Sequence, residues 1–192
     1  MNPHMAEETL RWIWLAWILY WFGSALGVPR TVRREPIWQR MSTIVIMVVA
    51  VLLLGLLDQR WAVLEQRFVP DTDWVRWAGL VATVAGLAFS VWARRHLGRF
   101  WSARVGLKEN HELIQSGPYA WVRHPIYTGI LLGTIGSALV VGEYRALAAV
   151  ALVWIGLIMK ARREENLLSQ EFGEAFVRYR ERTGWLLPKI SG

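Results

Sequence analysis

The sequence predicts an all-α polytopic integral membrane protein, with about five transmembrane helices and a cytoplasmic C-terminal amphipathic helix. Three observations predict it. The 192-residue chain is 54% hydrophobic, above the roughly 45–50% of soluble domains. Its excess apolar content lies in five uncharged runs, residues 12–29, 41–57, 77–93, 126–142 and 146–159. Its 13 tryptophans suit a protein whose helix ends meet the bilayer interface, where indole rings are favoured.

The first four runs have 17 or 18 residues, near the lower limit of about 17–25 for a spanning helix. The N-terminus lacks a basic signal-peptide start and carries Glu7 and Glu8, so run one is expected to be a retained helix. Trp12, Trp14, Trp38, Trp61, Trp74, Trp77 and Trp101 lie at or near span ends. Trp17 and Trp21 sit deeper, as packing or lipid-facing residues. Runs one and two are joined by a polar stretch with Pro29 and Pro36, and runs two and three by an acidic loop with a Pro70-Asp71 turn. Run three has Ala78, Ala82 and Gly86 at four-residue spacing, and run four has Gly129, Gly133 and Gly136. Such small residues predict close helix packing in lipid. Run five has only 14 residues and spans if Arg145 and Lys160 snorkel outward. Its helix is expected to continue past Met159. Beyond it Leu168, Phe172, Phe176 and Tyr179 mark one face of an amphipathic helix, broken by Gly173 and ended by Gly184 and Pro188. That helix either lies on the membrane surface or closes over a site. The whole is read as a single membrane domain, residues 1–192.

A net charge of +7 is explained by topology. Residues 29–40, 94–125 and 160–192 hold 17 of the 22 basic residues, and these segments alternate along the chain as the positive-inside rule requires. With five spans the N-terminus lies outside, and the three basic segments face the cytoplasm. No nucleic-acid partner is needed. The chain has no cysteine, which excludes disulfides and thiolate chemistry. His4, His96, His111 and His124 form no metal motif, and neither a Walker A nor a GxGxxG is present. No motif sets an oligomeric state.

The most informative segment is 111–129, HELIQSGPYAWVRHPIYTG. It lies between two apolar runs, where a polar, aromatic, proline-fixed connection is costly and usually binds something. Pro125 marks the start of run four and biases His124 away from the α conformation. Arg123, His124 and the following helix N-terminus suit a carboxylate or phosphate, with Tyr119 turned toward them by Gly117-Pro118. Glu164 and Glu165, at the end of the last run, suit a cationic group such as an ammonium or sulfonium. Together they fit a zwitterionic, amino-acid-like ligand.

The string SGPYAWVRHPIYTG, with HELI before it and the EE pair after it, resembles the signature of the isoprenylcysteine carboxyl methyltransferase and phospholipid methyltransferase superfamily of integral membrane enzymes. The resemblance covers roughly residues 96–189. It implies a catalytic, cofactor-binding part, residues 96–192, behind the three-span N-terminal part, residues 1–95, that the apolar runs predict. It also implies S-adenosylmethionine as cofactor. By position, His111, Glu112, Leu113 and Ile114 correspond to the stretch contacting adenosine, and Tyr119 to a cofactor-contacting tyrosine. His124, Pro125, Ile126 and Tyr127 correspond to the segment gripping the amino-acid portion, and Glu164 to the cofactor-binding glutamate. Lys160 stands where the family commonly has a substrate-binding arginine, and lysine lacks arginine's bidentate fork; Arg163 is a second candidate for that role. Arg123, Glu165 and Lys160 are the expected catalytic residues. The expected reaction is methyl transfer to a lipophilic acceptor, an isoprenylcysteine-type carboxylate. The alternatives are amine-directed phospholipid N-methylation, with Glu165, Tyr127 or His124 taking the proton, and a non-catalytic membrane binding protein or transporter.

Overall fold

The computed structural model describes residues 2–25, 37–55, 64, 66–98 and 112–189. Pro29, Pro36, Trp61, Trp101 and His111 lie outside the described residues. Among the described residues there are six α-helices: α1 (Pro3–Ala25), α2 (Ile37–Gly55), α3 (Asp73–Leu97), α4 (Pro125–Val141), α5 (Tyr144–Phe172) and α6 (Glu174–Arg182). A 3₁₀ turn, Gly117–Ala120, precedes α4. Among the described residues extended pairing is limited to two isolated bridges. Among the described residues two helices, α3 and α5, are long and apolar enough to cross a membrane, and Met41–Leu53 and Pro125–Val141 are shorter apolar helices. The short fifth run is thus part of a 29-residue helix. That helix does continue past Met159, and ends where Gly173 takes φ +49°.

The centre of the fold is the α3–α4 pair. Gly79, Thr83, Gly86 and Ser90 on α3 are all buried and face Gly129, Gly133 and Gly136 on α4. A Cβ added to Gly86 would lie 2.5 Å from the Gly133 nitrogen and 2.6 Å from the Gly129 carbonyl, so the two backbones touch. Thr83 Oγ1 donates to the Gly79 carbonyl at 2.9 Å and reaches the Gly133 carbonyl at 3.2 Å. The small-residue face of α3 therefore runs through Gly79 and Thr83. Of the expected stripe, Gly86 is in the contact, Ala78 is exposed and Ala82 is partly buried. Ala78 is one residue from Gly79, and one residue turns the face by about 100°, so the backbone approach selects the position without a Cβ.

Helix α1 packs across this pair. Ala6 and Leu10 meet Leu80 and Val140, Trp14 Nε1 donates to Ser137 Oγ at 2.9 Å and Trp17 Nε1 to Ser90 Oγ at 2.8 Å. Trp17 stacks on Trp21, with ring centroids 4.6 Å apart. Both deeper tryptophans are packing residues, and Trp14, expected near a span end, is one too. Trp12, Trp38, Trp74 and Trp77 are exposed, as interfacial residues would be. Helix α2 lies on α5, with Met47 and Ile46 against Gly156.

The chain ends sort to two sides. At one, residues 64 and 66–68 pair with the α4–α5 turn: the Phe68 N–H donates to Gly142 O at 2.9 Å, and the Tyr144 N–H to Gln66 O at 3.0 Å. Arg76 pairs there with Asp71 and Asp73. At the other side Arg94 Nη2 donates to the Ser24 carbonyl at 2.5 Å, beside the 3₁₀ turn, the start of α4, the polar end of α5, and α6. The 111–129 signature and the glutamate pair, 35 or more residues apart in sequence, are brought to this one end.

Candidate functional site

Pro125 opens α4 and leaves His124 as its N-cap at φ −125°, ψ 57°, outside the α region as the following proline requires. The His124 side chain is buried, and its two ring nitrogens face the adjacent carboxylates of α5. Nδ1 lies 3.5 Å from Glu164 Oε2 and Nε2 3.2 Å from Glu165 Oε1. Glutamates adjacent on a helix point about 100° apart, so a ring seated between them meets one with each nitrogen. Only an imidazolium donates from both nitrogens. Tyr127, one turn on, stacks on His124 with centroids 5.4 Å apart and planes at 4°, and its hydroxyl donates to Glu164 Oε1 at 2.5 Å. Lys160, one turn before Glu164, stands 5.5 Å over the Tyr127 ring, within cation–π range.

Arg123 is a tie between three segments. Its Nε donates to Glu165 Oε1 at 2.7 Å, and its Nη1 to the Thr183 carbonyl at 2.7 Å and the Arg180 carbonyl at 3.3 Å. Behind it the chain after α6 docks on the signature: the Arg123 N–H donates to Gly184 O at 2.9 Å, the His124 N–H to Trp185 O at 3.2 Å, and the Gly184 N–H to Trp121 O at 3.0 Å. Thr128 Oγ1 donates to the Leu186 carbonyl at 2.6 Å. The amphipathic helix buries Phe176 and Tyr179, and the Tyr179 hydroxyl donates to the Tyr119 carbonyl at 2.8 Å. Helix α6 thus packs over the 3₁₀ turn at the site end.

These groups lie beyond the apolar runs, and their titration is shifted. Burial opposes charge on His124, but hydrogen bonds and charges from Glu164 and Glu165 outweigh it and raise its pKa above the ordinary imidazole value. Burial would raise both glutamates; His124 overcomes it in each, helped by Lys160 and Tyr127 at Glu164 and by Arg123 at Glu165, and both fall below the ordinary carboxylate range. A raised folded pKa stabilises fully below the unfolded imidazole value of 6.5 and loses that stabilisation as pH rises through the folded pKa. Lowered carboxylates stabilise above their unfolded value of 4.5 and lose it as pH falls through theirs. The expected thermal-unfolding profile of the detergent-purified protein has its plateau between these two values. His124→Gln should flatten the alkaline limb; a variant whose alkaline limb matches the wild type's removes the imidazolium from this account.

The other expected residues are placed as follows. Glu112 is exposed, while Leu113 and Ile114 are partly buried, Ile114 against the central core. Tyr119 is buried in the 3₁₀ turn, and its hydroxyl is raised above the ordinary phenol value by burial and by Glu164. Pro125 and Ile126 are buried, Ile126 within the core. Arg163 reaches α2, with Nη1 3.2 Å from Thr43 Oγ1 and Nη2 3.4 Å from Ser42 Oγ. Sequence reasoning missed Trp185, whose ring stands edge-on to His124 at 6.4 Å, and His96, whose Nε2 is 2.9 Å from Ser116 Oγ. The aromatic residue just past the last helix was a usable signal for the first; nothing local marked the second. Trp185 Nε1 is buried without a hydrogen-bond partner among the described residues. No group of three or more metal-ligating side chains occurs among the described residues.

A sequence model of the isoprenylcysteine carboxyl methyltransferase family matches residues 77–170. The cobalt-zinc-cadmium resistance protein CzcN of Cupriavidus metallidurans is 32% identical over 84% of this chain and 66% of its own. Protein-S-isoprenylcysteine O-methyltransferase B of Arabidopsis thaliana is 29% identical over 62% of this chain and 61% of its own. The human protein-S-isoprenylcysteine O-methyltransferase is 31% identical over 67% of this chain and 48% of its own. The chain thus spans between 48% and 66% of the length of these curated relatives. The solved structure of the eukaryotic intramembrane Ras methyltransferase, an isoprenylcysteine carboxyl methyltransferase, superposes with a TM-score of 0.57 at 21% identity, over 84% of this chain and 55% of that one. That likeness carries the fold.

Proposed function

We infer that the chain belongs to the isoprenylcysteine carboxyl methyltransferase family, and propose that it is a membrane methyltransferase using S-adenosylmethionine to methylate the carboxylate of a lipophilic, isoprenylcysteine-type acceptor. The observation that carries this reading is His124 held between Glu164 and Glu165 at one end of the bundle.

The residues fit the cofactor's amino-acid portion. Arg123, His124 and Lys160 outnumber the two glutamates by one cation, so a ligand carboxylate balances the cluster, and the Trp185 indole N–H is a donor still to be used. His124, Tyr127 and Glu164 would hold that portion, and His111, Glu112, Leu113, Ile114 and Tyr119 the adenosine side. Pro125 and Ile126 fix the backbone from the core. When bound, S-adenosylmethionine supplies an electrophilic methyl group on a sulfonium. Arg123 positions Glu165 and the docked C-terminal segment, and Lys160 faces the acceptor's anionic head.

The geometry also favours a carboxylate over an amine acceptor. A carboxylate is ionised at neutral pH, whereas an ammonium must first lose a proton to a base. Glu165 already accepts from Arg123, Tyr127 already donates to Glu164, and both ring nitrogens of His124 already face the two carboxylates. All three candidate bases of the amine reading are committed. Catalysis then rests on proximity, orientation and exclusion of water around opposite charges.

We take residues 1–192 as one membrane domain with five spans, the N-terminus outside and the site cytoplasmic. The bonds from α1 to Ser137 and Ser90 support one domain. The gathering of the basic segments' described residues at the site end supports the orientation. The test is calorimetric binding of S-adenosylmethionine to detergent-purified protein, then labelled methyl transfer to an isoprenylcysteine analogue and to phosphatidylethanolamine. Micromolar binding and transfer to the carboxylate are expected. Transfer only to the ethanolamine makes the enzyme an N-methyltransferase, and no binding by well-folded protein leaves the non-catalytic class.

A further inference from the structure

His96 plays no part in the cluster around His124, yet three contacts converge on it. Its Nε2 is 2.9 Å from Ser116 Oγ. Its ring stacks on Tyr119, with centroids 6.4 Å apart and planes at 24°. Its ring also fills the space beside Gly117: a Cβ there would lie 2.6 Å from His96 Cε1 and 2.8 Å from both ring nitrogens. Gly117 sits at φ +58°, a backbone state that glycine adopts without strain. The last turn of α3 thus grips the 3₁₀ turn from one side, while Tyr179 holds the Tyr119 carbonyl from α6 on the other. Tyr119 lies near enough to Glu164 for that carboxylate to perturb its hydroxyl.

We propose that His96 is a positioning residue for the methyl-donor site, fixing Tyr119 through Ser116 and Gly117. This rests on the reading of that site as the donor's. Its own content is mechanical. The 3₁₀ turn has few backbone bonds of its own, and the planar ring supplies one hydrogen bond, one stacking surface and one steric stop. Removing the ring frees the turn without touching the Glu164–His124–Glu165 cluster.

The experiment is a pair of measurements on the full chain in detergent. S-adenosylhomocysteine binding by calorimetry should weaken about tenfold in His96→Ala, the equivalent of one lost hydrogen bond, with little change in Tm. His96→Gln keeps a planar donor facing Ser116 and should recover most of that loss; Arg95→Ala, the exposed neighbour, should bind as wild type. Hydrogen exchange over residues 112–123 should quicken in His96→Ala alone. Wild-type binding and exchange in His96→Ala overturn the inference, as does an equal loss in His96→Gln. If the wild type binds no donor while His96→Ala still quickens exchange in this segment, the positioning holds and the donor reading falls. If exchange is also unmoved, both fall.

Discussion

His124→Ala is expected to abolish measurable donor binding, a loss of about hundredfold or more, and to lower stability by about 2 kcal/mol in the same protein. The two effects have one cause. Glu164 and Glu165 are adjacent on α5, and their side chains are 25% and 19% exposed. The His124 ring lies against both, at 3.5 Å from Glu164 and 3.2 Å from Glu165. Without it, two partly buried carboxylates are left with Lys160 and Tyr127 on one side and Arg123 on the other. Breaking a fully buried pair costs about 3–5 kcal/mol; the residual exposure of both glutamates discounts that figure. The consequences separate in a double variant. His124→Ala/Glu165→Gln removes one of the repelling charges and should regain part of the lost Tm, since residues of one network are not additive. It should regain no donor affinity, because the stacked surface on Tyr127 and the hydrogen bond to Glu164 are still missing. Calorimetry for binding and thermal unfolding in detergent for stability read the two separately. Donor affinity near wild type in His124→Ala removes His124 from the site.

Much of this cluster was legible in the sequence because its members are fixed by local rules. Pro125 determines where α4 starts, so it also determines that Arg123 and His124 stand at a loop–helix junction. The Glu164–Glu165 pair follows directly on a basic stretch at the end of an apolar run. What the sequence alone did not carry was partner choice. Arg123 looked available for an external carboxylate, and it is taken by Glu165 and two carbonyls from 57 or more residues downstream. Such a bond has no periodicity and no spacing rule. The same holds for Thr128 with Leu186 and for His96 with Ser116. The fold divides in the same way. Apolar runs located α3 and α4 closely and the first half of α5, since hydropathy follows composition. Helix α1 begins at Pro3, nine residues before its apolar run, because helix formation does not require apolar residues on every face. The amphipathic pattern located α6 but left its docking open, since one apolar face suits either a membrane or a protein surface.

At the α3–α4 contact a single methyl group should do large damage to folding. Gly86→Ala puts a Cβ within 2.6 Å of two backbone atoms of α4. No rotamer change relieves this, because both are main-chain atoms and the new group has no freedom. The helices must separate or slide. Gly133 and Gly129 belong to the segment that leads into His124 one to three turns away, so the displacement is carried toward the site. Overpacking usually costs about 1–3 kcal/mol, and a backbone-to-backbone clash belongs at the upper end. Separation would also stretch the 3.2 Å reach of Thr83 Oγ1 to the Gly133 carbonyl and loosen Trp17 from Ser90. The matched control is Gly23→Ala on α1, where an added Cβ meets nothing within 4 Å. There alanine should be neutral or slightly stabilising, since it is the better helix former. Thermal unfolding of both variants in the same detergent provides the comparison. A Gly86→Ala protein as stable as Gly23→Ala would mean that α3 and α4 are not in backbone contact, and the packing described for the centre of this bundle would have to be redrawn.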